Sequence, residues 1–292
     1  MVWVRLVDYK PRDVGVLVAF ALQTLGREVD SVTVAEKGKW LRLIVHNGYT
    51  SVLEHAVYTF EAVCSRVCTH QLVRHRIASY TQQSMRRSKA FLDKMVEALA
   101  KTLGMKYDGD TRHALMVVRE AMVKAEADFS SIATAVEIAF AVPPSVKREF
   151  QNYYSYIQSL LQSVEKYYML LARGVPPEDA RYVLPDSVKT RITFTMNARE
   201  LLEVFLPLRM CARAQWEIRQ LAWKTWEAVY RVHPEIFAYA GPRCVLLDMR
   251  ARKTPCTLQD YLERRCAPVI ERCPEGVSRE GILPCMILAS TY

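Results

Sequence analysis

Three segments of the chain carry residue patterns typical of β-strands. Apolar and polar side chains alternate over residues 3–7, while residues 56–63 and 190–196 are rich in β-branched and aromatic residues. Successive side chains of a strand point to opposite faces, and branched or aromatic residues pack well on a pleated surface. The pattern therefore predicts three strands.

Most of the remaining chain is predicted to be helical, because its apolar residues recur at three- and four-residue spacing. The main predicted helices are residues 14–25, 35–47, 68–73, 114–142, 146–173 and 212–230. Asp13 is a candidate N-cap, and Gly26 and Gly48 are candidate helix stops. Strands together with long helices predict an α+β fold.

Two shorter patterns predict local helix starts. Ser51 and Glu54 have the spacing of a capping box, and this is the structural role predicted for Glu54. Residues 176–179, Pro-Pro-Glu-Asp, place prolines and acids where the first turn of a helix favours them, and that helix would carry Arg181.

The composition is that of an ordinary globular protein. The chain has 292 residues, of which 51% are hydrophobic and 24% charged, so there is ample material for a core. No apolar run is long enough to span a membrane and the first residues lack the pattern of a signal peptide, so we expect a cytoplasmic protein. The net charge of +9 favours anionic ligands, among which nucleic acid is a candidate on charge alone.

Cysteine is unusually frequent for a cytoplasmic chain. Three of the eight cysteines are Cys64, Cys68 and Cys211, and the other five fall in the last fifty residues, at positions 244, 256, 266, 273 and 285. No Cys-x-x-Cys pair occurs, which disfavours a zinc ribbon, and we predict no metal site. We predict at least one disulfide within this tail, with its pairing left open.

The segment 71–87 concentrates the candidate chemistry. It contains four arginines, and Arg74 and Arg76 stand two apart, so that both leave an extended backbone on one side with His75 on the other. Guanidinium groups match the geometry of phosphate and carboxylate. The segment is therefore predicted to receive a nucleotide or dinucleotide. The alternative is a solvated basic face or a nonspecific polyanion patch.

Five blocks of the chain carry a resemblance to a known family. They are Arg74-His75-Arg76-x7-Ser84, Gly48-Tyr-Thr-Ser51-Val-Leu-Glu54-His55, the run from Gly174 to Pro185 (GVPPEDARYVLP), Asn197-Ala-Arg199, and Arg209 with Ala214-Gln215-Trp-Glu217-Ile218. In this order they resemble the motifs of the flavin-dependent thymidylate synthases, the ThyX family. The resemblance covers residues 40–90 and 168–237 well.

The resemblance implies an enzyme that methylates dUMP to dTMP. Its carbon donor would be methylenetetrahydrofolate, its cofactor FAD and its reductant NADPH. It also implies a central antiparallel sheet flanked by long helices, and a homotetramer with active sites between subunits. Neither a membrane nor a nucleic acid is then expected as a partner.

The resemblance also assigns roles to individual residues. Those implied to bind FAD are Ser51, Arg74, His75, Arg76, Asn197 and Arg199. Those implied to bind dUMP are Gln71, Gln82, Ser84, Arg86, Arg181 and Arg209. The catalytic candidates are Arg209 and Ser84, and Ser84 would contact the nucleotide and would not act as a nucleophile.

The predicted organisation is a catalytic domain over residues 1–240, with a helical insertion at about 92–165, followed by a basic tail over 241–292 rich in cysteine and proline. Positions near the predicted site depart from the family pattern, namely Tyr49, Thr81, Met85, Arg87 and Arg213. They leave two alternatives open: a flavin- and nucleotide-binding homologue with lost or changed activity, and a basic helical protein that binds nucleic acid.

Overall fold

A computed structural model describes residues 2–27 and 33–291 and contains one four-stranded antiparallel sheet. Its strands are β1 (Trp3–Lys10), β2 (Val57–Ser65), β3 (Ala78–Gln82) and β4 (Lys189–Asn197), in the order β1-β2-β4-β3. The three predicted strands are confirmed as β1, β2 and β4. Strand β3 was not predicted, because it lies inside the basic segment, where few apolar residues mark the alternation.

The described residues also contain sixteen helices, and the α+β prediction is confirmed. The helices are α1 (Gly15–Gln23), α2 (Val34–Asn47), α3 (Arg66–Leu72), α4 (Ala90–Leu103), α5 (Thr111–Lys124), α6 (Phe129–Ala139), α7 (Pro144–Lys147), α8 (Phe150–Ala172), α9 (Pro177–Ala180), α10 (Ala198–Glu200), α11 (Leu206–Arg209), α12 (Trp216–Val232), α13 (Pro234–Phe237), α14 (Arg243–Ala251), α15 (Leu258–Leu262) and α16 (Arg279–Ser290). Shorter 3-10 turns span Thr50–His55 and Arg181–Val183, and a π-helical turn spans Leu201–Phe205.

Two helix predictions need correction. The single helix predicted over 114–142 is divided into α5 and α6, because the side chain of Asp128 accepts a hydrogen bond from the backbone N–H of Ser131 and begins a new helix. The helix predicted from residue 212 begins only at Trp216. The side chain of Gln215 caps it by accepting from the N–H groups of Glu217 and Ile218.

The capping box predicted at Ser51 and Glu54 is absent. The 3-10 turn at Thr50–His55 begins without a side-chain cap, and the Glu54 carboxylate pairs instead with Arg199. A capping box does form at the start of α2, where Thr33 and Glu36 exchange hydrogen bonds. The prediction at Ser51 and Glu54 is therefore wrong, and the capping box at Thr33 and Glu36 was not predicted.

Contacts divide the chain into two compact units. The first contains residues 63–70 and 82–192, and its core is helical, with Leu99, Val118 and Leu161 among its fully buried side chains. The predicted helical insertion at 92–165 lies entirely within it.

The second unit contains residues 2–62, 71–81 and 193–292. Phe60 and Phe194 stack in its core with ring centroids 4.9 Å apart. The tail over 241–292 belongs to this unit, and the predicted domain boundary at 240 stays a prediction.

The tail is organised around a buried carboxylate. Asp248 is only 1% exposed and accepts hydrogen bonds from the Tyr261 hydroxyl, from Nε of Arg252 at 2.7 Å and from the N–H groups of Val269 and Ile270. A disulfide joins Cys256 to Cys266, which confirms the prediction of a disulfide in the tail.

Candidate functional site

His75 lies at the centre of a buried hydrogen-bond network in the second unit. It follows the end of α3 and is 4% exposed. Nε2 of its ring accepts a hydrogen bond from Nε of Arg209 at 3.0 Å, and Nδ1 lies 3.2 Å from Oε1 of Glu200. A guanidinium can only donate, so Nε2 is the acceptor, and the proton is assigned to Nδ1, which donates to Glu200.

The ring of His75 is neutral at neutral pH. Burial, with a smaller effect of the nearby charge of Arg209, lowers the pKa of His75 to about 4. Burial also raises the pKa of Glu200 above its ordinary value. The contact between these two residues is therefore a hydrogen bond and not a full ion pair.

Arg209, at the end of α11, is held from two directions. Besides its bond to His75, it donates from one terminal nitrogen to the backbone oxygen of Gln71 at 3.2 Å, and the other terminal nitrogen lies 3.5 Å from the Gln71 side-chain oxygen. Gln71 and His75 lie four residues apart, whereas Arg209 is 134 positions beyond His75. The structure brings Arg209 into direct contact with both of these predicted site residues.

Arg74 and Arg76 flank His75 but differ from it in exposure. Both arginines are exposed, whereas the His75 side chain is buried. Within the part of the chain that the structure describes, neither guanidinium has an ion-pair partner. The hydroxyl of Tyr80 lies 2.9 Å from the backbone oxygen of Leu72 and 2.7 Å from that of His75, which fixes the turn that carries them.

The other predicted flavin residues have structural partners. Asn197 caps α10 by accepting from the N–H of Glu200 at 2.7 Å, and so positions the acid that contacts His75. Arg199 pairs with Glu54 and, at 3.4 Å, with Glu203. Ser51 is exposed. The pair of Glu54 with Arg199 therefore joins the block that begins at Gly48 to the block that begins at Asn197. Glu200, which Asn197 caps, links the second of these blocks to His75.

The remaining predicted residues lie in the first unit. The amide of Gln82 donates to the hydroxyls of Thr69 at 3.3 Å and Thr190 at 3.5 Å. Ser84 and Arg86 are exposed, and Arg86 stands 4.0 Å from the carboxylate of Glu178. This contact joins the end of the basic segment to the block that begins at Gly174.

Two neighbouring clefts of the first unit are lined by cations. Arg181, whose Nε donates to the backbone oxygen of Glu178 at 3.0 Å, lines one cleft together with Arg66. Asp186 also lines this cleft and lies 3.8 Å from Arg66, so Arg181 is its cation without a carboxylate partner among the described residues. Arg86 and Lys89 line the other, and Met85 borders both. Such walls suit an anionic ligand.

Glu200 and Tyr80 are the members of the network that sequence reasoning missed. Glu200 is 5% exposed and stands three residues after Asn197, a spacing that signals a helix cap and not a partner for a distant histidine. The hydroxyl of Tyr80 contacts two backbone oxygens, and no short sequence motif predicts a contact of this kind.

The described residues hold neither a candidate metal cluster nor a candidate membrane span. Residues 2–27 and 33–291 contain no group of three or more His, Cys, Asp or Glu side chains placed to hold a metal ion. No helix in these ranges combines the length and apolar character needed to cross a membrane.

Comparison with known proteins identifies the family. The model of the Thy1 family, described as "Thymidylate synthase complementing protein", matches residues 5–235. The chain belongs to this family. The match includes all five blocks and every predicted site residue.

Archaeal relatives extend the similarity. A protein of Aeropyrum pernix named flavin-dependent thymidylate synthase is 39% identical, over 99% of this chain and 93% of its own length. Proteins with the same name from Sulfolobus acidocaldarius and Saccharolobus solfataricus are 42% and 37% identical, over 85% and 98% of this chain and 77% and 96% of their own lengths. The alignments with the first and third therefore include most of the tail.

Proposed function

We propose that this Thy1-family chain is a flavin-dependent thymidylate synthase. It would methylate dUMP to dTMP with methylenetetrahydrofolate as carbon donor, FAD as cofactor and NADPH as reductant, in the cytoplasm. The observation that carries the proposal is the contact of Arg209 with His75 and Gln71, because it unites two separate family blocks around one oriented cation.

The residues around His75 fit an anionic dinucleotide. Arg74 and Arg76 present two exposed guanidinium groups without ion-pair partners among the described residues. A pyrophosphate, or the oxygens of a flavin ring, would satisfy such donors. When bound, FAD would supply the hydride for the new methyl group. Ser51, His75, Asn197 and Arg199 complete the proposed FAD set, and Asn197 would act through its cap of α10.

Arg209 is proposed to stabilise negative charge on dUMP. A guanidinium stays protonated at any physiological pH, and neutral His75 orients it without adding a second positive charge. A preoriented cation of this kind lowers the energy of a uracil ring on which negative charge develops, because no reorganisation is needed during the reaction. Gln71 orients the same group from the other side.

The phosphate of dUMP is proposed to meet the cations of the first unit. Arg181 and Arg86 each line a cleft there, and Gln82 and Ser84 lie nearby in sequence. Ser84 would contact the nucleotide through its hydroxyl or backbone. The proposed assembly is a homotetramer with active sites between subunits, which would allow residues of different chains to share one dUMP.

The test measures flavin and turnover separately. Purified protein is expected to contain FAD, and it should release tritium from [5-3H]dUMP only when methylenetetrahydrofolate and NADPH are both present. Rescue of a thymidine-requiring bacterium is the matching cellular test. Bound flavin without tritium release would indicate a homologue with changed activity. Absence of flavin together with salt-sensitive nucleic-acid binding would overturn the proposal.

A further inference from the structure

One carboxylate of the second unit, that of Glu203, contacts a family block and the tail at the same time. Oε1 of Glu203 accepts a hydrogen bond from a terminal nitrogen of Arg250 at 2.7 Å, and Oε2 accepts from Nε of Arg199 at 3.4 Å. Arg199 belongs to the proposed FAD set, whereas Arg250 is in the last turn of α14 and lies outside residues 5–235, which the family model matches. The tail therefore reaches the proposed flavin residues through one shared acid.

The Glu203 carboxylate is held in its charged form. Burial alone would raise the pKa of Glu203, but hydrogen bonds from Arg250, from the hydroxyl of Thr50 and from Arg199 hold that pKa below its ordinary value. Thr50 is buried and directly precedes Ser51 of the proposed FAD set. A full negative charge therefore stands where the tail meets two of the blocks that the proposed FAD site uses.

The packing of α14 directs Arg250 to this carboxylate. Nε2 of His46, in the last turn of α2, donates to the backbone oxygen of Arg252 at 2.7 Å and so ties the end of α14 to the end of α2. The guanidinium lies beside Gly48, where an added side-chain carbon would be 3.7 Å from Cζ of Arg250. Among the described residues, Glu203 is the only acid that pairs with Arg250. The position of Arg250 is therefore set by the fold, and its charge has one partner.

The charges of Glu54, Arg199, Glu203 and Arg250 balance only because Arg250 is present. Arg199 pairs with Glu54 as well as with Glu203, so that one guanidinium faces two carboxylates, and Arg250 supplies the second cation. Without Arg250 the group would carry a net negative charge beside residues that are proposed to bind FAD, whose pyrophosphate is itself anionic. Like charges repel, and Glu203 would also compete with the ligand for the Arg199 guanidinium.

We propose that Arg250 is a positioning residue of the FAD site, which compensates the charge of Glu203 and so leaves Arg199 available to an anionic dinucleotide. The inference rests on the proposed function, because it requires Arg199 to face FAD. It gives the tail a part in flavin binding that none of the five family blocks contains. The sequence did not reveal this role, since Arg250 stands 47 positions after Glu203 in a segment without a family motif.

Equilibrium titration of flavin-free protein with FAD measures the effect of Arg250. Arg250→Gln removes the charge but keeps an amide N–H₂ donor for Glu203, and its Kd for FAD is expected to rise about tenfold. Arg250→Lys keeps the charge and should bind within about threefold of the native protein, because only one nitrogen of Arg250 contacts Glu203. Arg243→Gln is the matched control. It removes the same charge from an exposed arginine at the start of α14 that has no ion pair among the described residues, and its Kd should equal the native value.

Replacement of Glu203 separates charge compensation from simple structural support. Glu203→Gln breaks the ion pair but removes the charge that Arg250 compensates, so this variant should bind FAD at least as tightly as the native protein. The double variant Arg250→Gln/Glu203→Gln should regain most of the affinity that Arg250→Gln loses. A purely structural contact predicts the reverse, with both single variants weakened and no recovery in the double variant. If Arg250→Gln does not fold, the opposite expectations for Glu203→Gln decide the question.

Salt gives an independent check of the electrostatic cause. The difference in Kd between Arg250→Gln and the native protein should shrink as the ionic strength rises from about 0.05 M to about 0.5 M. An unchanged Kd in Arg250→Gln, or weaker binding in Glu203→Gln, would overturn this inference alone. Failure of the native protein to bind FAD would overturn the proposed function and this inference together. None of these measurements depends on thymidylate formation.

Discussion

Arg209 donates its Nε–H to Nε2 of His75 across 3.0 Å, and the same imidazole contacts Glu200 through its other nitrogen. The neutral ring therefore connects a cation to a buried acid without carrying charge itself. Phe205 packs edge-on against it, with ring centroids 5.0 Å apart. Both the orientation of Arg209 and the protonation state of His75 depend on this arrangement.

The depressed pKa of His75 predicts a loss of stability in acid. The folded value is about 4, whereas an unfolded histidine titrates near 6.5. Between these values the unfolded state binds more protons, so the penalty is absent above about pH 6.5 and grows as the pH falls, to about 2 kcal/mol at pH 5. Denaturant unfolding of the native protein should show this fall, and His75→Gln should show less of it.

Comparison of the native protein with His75→Gln separates the effect of His75 on acid stability from that of Glu200. Glu200 has a raised pKa, so it favours the folded state as the pH falls and acts in the opposite direction. His70→Gln is the matched control, because it replaces an exposed histidine that lies outside the network, and this variant should show the same fall as the native protein. An identical pH profile for native protein and His75→Gln would refute the buried neutral ring.

Arg209→Lys is predicted to impair the use of dUMP while leaving FAD bound. Lysine keeps the positive charge but lacks the planar fork that contacts His75 and Gln71 together. The expected loss in kcat/KM for dUMP is about 100-fold or more, near 3 kcal/mol. Steady-state tritium release and flavin absorbance measure the two properties on one sample.

Arg231→Lys provides the comparison for this change. Arg231 is exposed in the last turn of α12 and belongs to no family block, so its replacement should alter neither property. If Arg209→Lys retains the native kcat/KM, Arg209 does not stabilise charge on the nucleotide.

Much of this arrangement could be predicted from local patterns. Strand β2 follows from its branched and aromatic residues, and the end of α2 follows from Gly48, which adopts a left-handed φ of 75°. The exposure of Arg74 and Arg76 on either side of a buried His75 agrees with their two-residue spacing, although Val73 and Ile77 are exposed as well. Each of these features depends on neighbours in sequence.

The features that were missed depend on distant partners. Glu200 contacts His75, which is 125 positions away in the sequence. Glu54 pairs with Arg199, 145 positions away, and does not form the predicted capping box. Strand β3 pairs in a sheet despite its polar sequence, because its neighbour β4 supplies the partner. Tertiary contact decides such cases, and a single sequence without a structure does not show it.

The ion pair of Arg199 with Glu54 is predicted to contribute little to stability. Both side chains are about half exposed, at 46% and 50%, so water screens their attraction. A double-mutant cycle with Arg199→Ala and Glu54→Ala should give a coupling of about 0.2–1 kcal/mol. A coupling above about 2 kcal/mol would show that the pair is far less hydrated than its exposure indicates.

Arg199→Ala alone should weaken FAD binding, measured by flavin release on dilution.

Asp248 is predicted to be the most sensitive acid of the tail. Burial alone would raise its pKa, but hydrogen bonds from Tyr261 and Arg252 and from two backbone N–H groups hold the pKa below its ordinary value. Asp248→Asn removes the charge and sets an amide N–H₂ against these donors, leaving Arg252 unpaired. The expected cost is about 3–5 kcal/mol of unfolding free energy, since a buried partner loses its counter-charge.

The low pKa also sets the pH dependence of this contribution. A depressed carboxyl stabilises the fold fully above its unfolded pKa, near 3.9, and the contribution disappears as the pH falls through the folded value. The difference between native protein and Asp248→Asn should therefore be largest at neutral pH and shrink in acid. Asp8→Asn, which alters a 67%-exposed acid paired with Arg12, should change the unfolding free energy by less than about 1 kcal/mol. Equal effects of the two substitutions would show that Asp248 does not organise the tail.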